Sequence, residues 1–244
     1  MEIDKDVEIL DGLPILYIRS LNAMVCADLH LGYEGVMADR GIFLPKANLE
    51  KIEQQIKEAK QRSNASAIIV AGDIKNEFSQ VHVEEFNEFK EFVEFLRSIG
   101  ISRIVLIKGN HDNFIDKYKK PFGIEIYAQQ ASFGRYFIFH GEELPRNASG
   151  NFYIMGHVHP AIGVFNKIGV KEKLKCFLYG KLSKNRKLVI LPAMNYYVEN
   201  VEVNIEDVSG LSPVFSGIVD VRQMRALCIG EGETLDFGKV ADLR

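Results

Sequence analysis

Five short apolar runs in this chain each lead into a cluster of polar residues. The runs cover residues 23–27, 67–71, 104–107, 136–139 and 152–155. The clusters contain Asp28 and His30, then Asp73, then Asn110, His111 and Asp112, then His140, and finally His157 and His159. Apolar runs of this length are typical of buried strands, and in open α/β sheets ligands bind beyond the carboxyl ends of the strands. The pattern therefore predicts one functional site built from several strand ends.

Two stretches between the first three runs have the 3.6-residue periodicity of amphipathic helices. The spacing of apolar residues predicts helices over about residues 47–62 and 83–99, while residues 31–46 are expected to form a loop. Strand and helix alternate, which implies parallel strands joined by right-handed crossovers, with the first three polar clusters side by side. Before them, the Asp11-Gly12 turn predicts an opening hairpin within residues 7–18.

Beyond Pro121 the pattern changes to closely spaced short strands. The candidate strands are residues 124–128, 135–139, 151–155, 173–179, 186–191, 198–204, 214–219 and 224–229. An α/β half followed by a β-rich half predicts an α/β protein in which two packed β-sheets are flanked by helices and share one site. We expect a single domain over residues 1–244, with residues 206–244 as a C-terminal β-rich appendage packed on it.

Composition limits the classes of protein that fit. The chain has 244 residues, 47% of them hydrophobic, and a net charge of −3 that offers no overall attraction to nucleic acid. Three cysteines without close pairing favour a reducing compartment over a disulfide framework. No apolar stretch approaches the roughly 18 residues of a membrane helix, so we expect a cytoplasmic protein that does not contact a membrane.

The clusters hold a set of oxygen and nitrogen ligands without a thiolate. These seven candidate metal ligands are Asp28, His30, Asp73, Asn110, His140, His157 and His159. Such a set suits manganese, iron or zinc, with manganese favoured. Seven ligands are too many for one ion but suit two divalent ions about 3.5–4 Å apart that share one carboxylate. The alternative is that these residues are caps and hydrogen-bonded core groups, but five of the six histidines fall in the clusters.

Five motifs in these clusters resemble, in their order along the chain, those of the calcineurin-like metallophosphoesterase superfamily. They are Asp-x-His, Gly-Asp, Gly-Asn-His-Asp, His-Gly and Gly-His-x-His. The resemblance implies a four-layer sandwich with two mixed sheets. It also implies one metal held by Asp28, His30 and His159, and a second held by Asn110, His140 and His157. Asp73 would bridge the two metals. The remaining histidine, His111, would face the phosphate as general acid or charge partner, with Asp112 orienting its ring.

A narrower resemblance rests on residues 28–34 and 191–195 and on Arg40-Gly41 with a following proline. These segments are similar to archaeal and bacterial phosphoesterases that include the ligase-associated DNA-repair members. Together the resemblances imply a dinuclear metal-dependent phosphoesterase that hydrolyses phosphodiesters by metal-activated hydroxide, with nucleic acid, and hence nuclease activity on DNA or RNA, as one candidate. Alternatives are a phosphodiesterase of small or cyclic nucleotides and a non-catalytic scaffold, although scaffolds typically lack the histidine that is present here as His111. The sequence identifies no protein partner and leaves open what Asn76 and Glu77 do. Asn195 either lines the site or caps a turn, and the turn is favoured.

Residues 167–187 form a basic strip, with seven lysines and one arginine against one glutamate. Lys171, Lys173 and Lys175 alternate along a predicted strand and therefore share one face. Together with Arg40 they are candidates for contacting a polyanionic substrate. The alternative for the lysines is an edge strand that their charges protect from aggregation, and Arg40 could instead pair with a nearby acid.

Overall fold

The first of two β-sheets is built mainly from the N-terminal half of the chain. In a computed structural model that describes residues 1–77, 82–145, 147–148, 150–165 and 168–243, its strands are β1 (Glu2–Asp4), β2 (Val7–Ile9), β3 (Leu16–Ile18), β4 (Ala23–Cys26), β5 (Ala67–Ala71), β6 (Arg103–Ile107) and β7 (Glu125–Tyr127). They lie side by side in chain order. Pairing is antiparallel from β1 to β4 and parallel from β4 to β7. The predicted parallel crossovers are therefore present.

The second sheet contains the remaining strands. They are β8 (Gln130–Phe133), β9 (Tyr136–Phe139), β10 (Phe152–Met155), β11 (Pro160–Phe165), β12 (Lys171–Ser183), β13 (Arg186–Ile190), β14 (Val201–Glu202), β15 (Arg225–Ile229) and β16 (Thr234–Lys239). Their order is β14-β11-β12-β13-β10-β9-β8, and β15 pairs with β12 and β16. Strands β9, β10 and β13 are parallel, whereas β12 is antiparallel to β11, β13 and β15. The sheet is therefore mixed, as predicted, and it includes strands from the C-terminal segment.

Three apolar layers hold the fold together. Helices α1 (Tyr33–Asp39), α2 (Asn48–Ser63), α3 (Val83–Ser98) and α4 (Lys119–Phe122) connect strands of the first half. The apolar faces of α2 and α3 pack on one side of the first sheet, where Ile56 and Phe89 share a core with Met24. The other side faces the second sheet, and Val25 shares that core with Ile154. Because alternate residues of a strand point to opposite faces, β4 is buried on both sides.

The outer face of the second sheet is covered by the segment before β15. Val214, Phe215 and Val219 pack there against residues of β10 and β12. The run 214–219 had predicted a strand, but residues 214–218 form turns without strand pairing, and Ile218 is 46% exposed. The other differences are helix α1, which was expected to be a loop, the short extent of β14, and helix α4 and strands β1, β8, β11 and β16, which were not predicted.

Helix α1 escaped prediction because it is short and starts without a side-chain cap. It begins after Gly32, which has a φ of 80°. None of the helices in the described ranges combines the length and the apolar character needed to cross a membrane.

Candidate metal centre

The polar clusters after β4, β5, β6, β9 and β10 meet at one place between the two sheets. Three groups of potential ligand atoms lie within 4.8 Å of one another among the described residues: Asp28, His30 and His159; His30, Asp73 and His111; and Asp73, His140 and His157. Asp28 and His140 are fully buried. Convergence of these clusters was the main prediction from the sequence, and Asp73 contributes to two of the groups, as a bridging ligand would.

Short distances connect the carboxylates with the imidazoles. His140 Nε2 lies 3.2 Å from Asp73 Oδ2, and His159 Nε2 lies 3.5 Å from Asp28 Oδ1. His30 Nε2 lies 3.9 Å from Asp73 Oδ2. Glycines make this proximity possible, because a Cβ on Gly72 would overlap the His140 ring and one on Gly109 would overlap Asp73.

The backbone at the site adopts a conformation that non-glycine residues rarely use. The described residues include nine non-glycine residues with positive φ, and five of them belong to the predicted ligand set: Asp28, His30, Asp73, His157 and His159. The left-handed region is costly for residues with a Cβ, and such residues cluster at functional sites. The concentration of this conformation here favours a functional over a purely structural role for the cluster.

Most of the site histidines are held by main-chain carbonyls through one ring nitrogen. His140 Nδ1 lies 3.0 Å from the oxygen of Ala71, His159 Nδ1 lies 3.1 Å from that of Glu199, and His157 Nε2 lies 3.1 Å from that of Leu211. The other nitrogen of each ring points into the cluster. In histidines that ligate metals, a hydrogen bond of this kind from the non-ligating nitrogen fixes the tautomer and the orientation of the ring.

His30 is the exception, and it provides the test of whether a metal fits. Both of its ring nitrogens are buried and have no hydrogen-bond partner. Buried polar atoms are normally satisfied, and an imidazole between two carboxylates that lacks a partner is suited to binding a cation. The residues at this site therefore fit divalent metal ions.

The electrostatic environment keeps the carboxylates ionised and His30 neutral. Burial lowers the pKa of His30 to about 4, so that the ring is in the form that ligates metals. Burial alone would raise the pKa of Asp73, but the neighbouring His140 ring holds it well below its usual range. The same pairing, against the effect of burial, raises the pKa of His140 to about 10.

The turn after β6 brings His111 close to the cluster. Its main-chain N–H donates to Asp73 Oδ1 at 3.0 Å, and its ring Nδ1 lies 2.5 Å from the oxygen of Asn76. Asp112, expected to orient this ring, accepts hydrogen bonds from the main-chain N–H groups of Gly109 and Lys75, and its action on the His111 ring stays a prediction. Asn110 is exposed in the same turn. Its role as a ligand stays a prediction.

Asn195 supports the site from the loop between β13 and β14, where it also caps a turn, the role that the sequence favoured. Its fully buried side chain donates from Nδ2 to the oxygen of Leu29 at 2.9 Å, and its main-chain N–H donates to the oxygen of Asp28 at 3.1 Å. Its Oδ1 accepts from the N–H groups of Tyr197 and Val198. Asn195 therefore holds the 28–30 segment in place. No local sequence signal reveals this, since the partners lie more than 160 residues apart.

We expect Asn195→Ala to weaken metal binding by about 10- to 100-fold, the usual effect of losing a partner that orients metal ligands. The variant loses the bond to Leu29 and leaves the main-chain N–H groups of Tyr197 and Val198 without this acceptor. Metal titration followed by calorimetry would measure the change. Asn204→Ala is a matched control, because Asn204 also makes two main-chain hydrogen bonds, both to Gly163 and none to the site. Equal affinities of the two variants would contradict the supporting role of Asn195.

The three lysines predicted to contact substrate already have partners within the protein. Lys171 and Lys173 lie 2.9 and 3.1 Å from Glu202 Oε1. Lys175 donates to the main-chain oxygens of Ala193 and Asn195 at 2.8 and 2.5 Å, and burial lowers its pKa to about 8. The predicted common strand face is present, but these internal bonds compete with the predicted substrate contacts. Lys167 lies outside the described residues.

Arg40 follows α1 in an exposed loop. Its predicted contact with substrate stays a prediction.

Comparison with known proteins assigns the chain to a family. The sequence matches the calcineurin-like phosphoesterase family over residues 21–214, and no curated protein matches it. The fold is similar to that of a nuclease MPE from Pseudomonas putida, with 17% identity and a TM-score of 0.64 over 94% of each chain. Yfce, a phosphoesterase from E. coli, is 18% identical, with a TM-score of 0.39 over 70% of this chain and 79% of its own. The chain therefore belongs to the calcineurin-like phosphoesterase family and is a metal-dependent hydrolase of phosphoesters.

Proposed function

We propose that this protein hydrolyses phosphodiesters, with nucleic acid as the substrate class, and that it uses two divalent ions, manganese being favoured. Asp28, His30 and His159 hold one ion in this proposal. The second is held by Asn110, His140 and His157, and Asp73 contributes to both. The observation that carries the proposal is the pair of unpartnered, buried nitrogens of His30 beside two carboxylates. Support for the substrate class comes from the fold shared with a nuclease over 94% of both chains.

Each part of the chain then has a distinct task. Divalent ions bound here would supply activation of water and neutralisation of charge on the phosphoryl oxygens. The main-chain carbonyls behind His140, His157 and His159 fix the orientation of those rings. His111 lies at the edge of the cluster and assists the reaction, either by donating a proton to the leaving oxygen or by stabilising negative charge on the phosphoryl oxygens.

A panel of substrates tests the proposal. Aryl monoesters and diesters, nucleotides, cyclic nucleotides, and single- and double-stranded DNA and RNA would be compared with manganese and with chelator. We expect diesters, including nucleic acid, to be cleaved faster than monoesters, and we expect activity to disappear with chelator and return with added manganese. His82→Gln is a suitable control, because His82 lies outside the cluster and its Nε2 is 3.0 Å from Asp39.

The other outcomes identify the alternatives. Preferential turnover of cyclic or small nucleotides would make the protein a nucleotide phosphodiesterase. Failure of the metal-loaded protein to hydrolyse every substrate would favour the non-catalytic scaffold. Activity that persists after verified removal of metal would contradict the role given to the cluster.

A further inference from the structure

A buried ion pair lies behind the site and has no part in the predicted ligand set. Lys75 Nζ is 2.8 Å from Glu85 Oε1, and the two side chains are 1% and 0% exposed. Removing two charges from water is costly, so that replacing a buried ion pair by apolar residues is often neutral or stabilising. Stability alone is therefore a weak reason for this pair, and its other contacts indicate a different role.

Both members of the pair hold the segment 75–77, which follows the Gly72-Asp73 motif. Glu85 Oε2 accepts hydrogen bonds from the main-chain N–H groups of Asn76 and Glu77 at 3.1 and 2.8 Å. Lys75 Nζ donates to the oxygen of Glu77 at 2.7 Å. The ion pair therefore fixes the peptide groups on either side of Asn76.

The close approach of α3 to the site depends on a glycine. Gly32 follows the first ligand cluster and has a φ of 80°. A Cβ at this position would lie 2.7 Å from Cβ of Glu85, nearer than non-bonded carbon atoms can approach. The fold thus brings the carboxylate of Glu85 directly against the loops that form the site.

The main-chain oxygen of Asn76 is the atom that connects the ion pair to His111. It lies 2.5 Å from Nδ1 of the His111 ring. A carbonyl oxygen only accepts hydrogen bonds, so Nδ1 carries a proton, and Nε2, directed away from Asn76, is the ring nitrogen left to act on the substrate. A ring nitrogen of His111 lies within 4.8 Å of ligand atoms of His30 and Asp73. The position of one peptide group therefore selects the tautomer of His111 and the direction in which its ring faces.

We infer that Glu85 and Lys75 are positioning residues for His111: the buried ion pair holds the oxygen of Asn76 where it sets the tautomer and orientation of that ring. The inference rests on the proposed function, in which His111 assists the reaction. Neither Glu85 nor Lys75 belongs to the ligand groups, so the pair acts on turnover and not on the retention of metal.

A double-mutant cycle between Glu85→Gln and His111→Ala tests this coupling. Glutamine has the size of glutamate but loses the charge opposite Lys75 and one of the two acceptor oxygens. We expect Glu85→Gln to lower kcat about 10- to 100-fold, since misplacing a catalytic group by about 1 Å has effects of this size. KM and metal content should stay close to those of the wild type. In the His111→Ala background the same substitution should have almost no further effect, because residues that act as a unit are strongly non-additive.

A second measurement reports on the ring directly. Nitrogen-15 NMR of the imidazole distinguishes a proton on Nδ1 from one on Nε2. We expect the Nδ1–H form of His111 in the wild type and a mixture of tautomers in Glu85→Gln. A purely structural role for Glu85 would lower stability without changing this tautomer.

Two further variants keep the test decisive. Asp4→Asn is the matched control, because the Asp4 side chain is only 6% exposed and pairs with Arg135 and Lys187 at the opposite ends of the strands; its kcat should be that of the wild type. If Glu85→Gln alone does not fold, the Lys75→Met/Glu85→Gln variant removes both charges and so leaves no buried charge unpaired.

The outcomes separate the inference from the function on which it rests. Two results would contradict the positioning role and leave the proposed function unaffected. One is additive losses in the cycle, and the other is a folded Glu85 variant with the kcat and the tautomer of the wild type. An unchanged kcat in His111→Ala would instead remove the role given to His111. A metal-loaded wild-type protein that hydrolyses no phosphoester would contradict the proposed function itself.

Discussion

Asp73→Asn is expected to abolish hydrolysis and to reduce the content of both metal ions. Asp73 is the carboxylate that contributes to two of the ligand groups, together with His30 and His111 in one and with His140 and His157 in the other. Asparagine keeps the shape of the side chain and an oxygen that can accept from the N–H of His111, but it removes the negative charge. Because metal ions provide several kcal/mol of charge stabilisation in the transition state, the loss in kcat should reach about 10³-fold or more.

Metal analysis by mass spectrometry and kinetics with an aryl diester would measure both effects. Asp116→Asn is a suitable control, because Asp116 also follows β6 but is exposed and pairs with Lys108 at 2.8 Å. That variant should retain two metals and full activity. Two fully occupied ions in a folded Asp73→Asn protein would contradict the bridging role.

The sequence predicted the parts of the site that depend on single strands and their ends. A strand that is buried on both faces has a continuous apolar sequence. The residue that follows it therefore lies at the edge of the sheet. Asp28, Asp73 and His140 each follow such a run, so their convergence could be predicted without knowing any tertiary contact. The same reasoning located helices α2 and α3, whose apolar positions repeat with the helical period.

The supporting contacts could not be predicted, because they join residues that are distant in the sequence. Lys171 and Lys173 resembled a surface for a polyanion, but Glu202 lies about 30 residues further along and pairs with both. In the same way, the sequence of α3 does not show that Glu85 is buried against Lys75. A charged residue on a helix is normally solvated, and only its tertiary partner shows when it is not.

His111→Ala is expected to lower kcat about 10²- to 10⁴-fold, the usual contribution of a general acid or of electrostatic help to a leaving group, while KM and metal content change little. The contact that ties this residue to Asp73 comes from its main-chain N–H. Alanine retains that group, so the carboxylate keeps its hydrogen bond and its position. The substitution therefore removes the imidazole and leaves the rest of the cluster intact.

The proximity of the ring to His30 and Asp73 makes metal content the decisive control. Loss of one ion from His111→Ala would identify His111 as a ligand and would contradict its assignment to the transition state. With both ions retained, diesters whose leaving groups differ in pKa separate the two remaining roles. If His111 donates a proton, the variant should lose most activity on poor leaving groups, because these need the proton to depart. If His111 only stabilises charge on the phosphoryl oxygens, the loss should be the same for all of them.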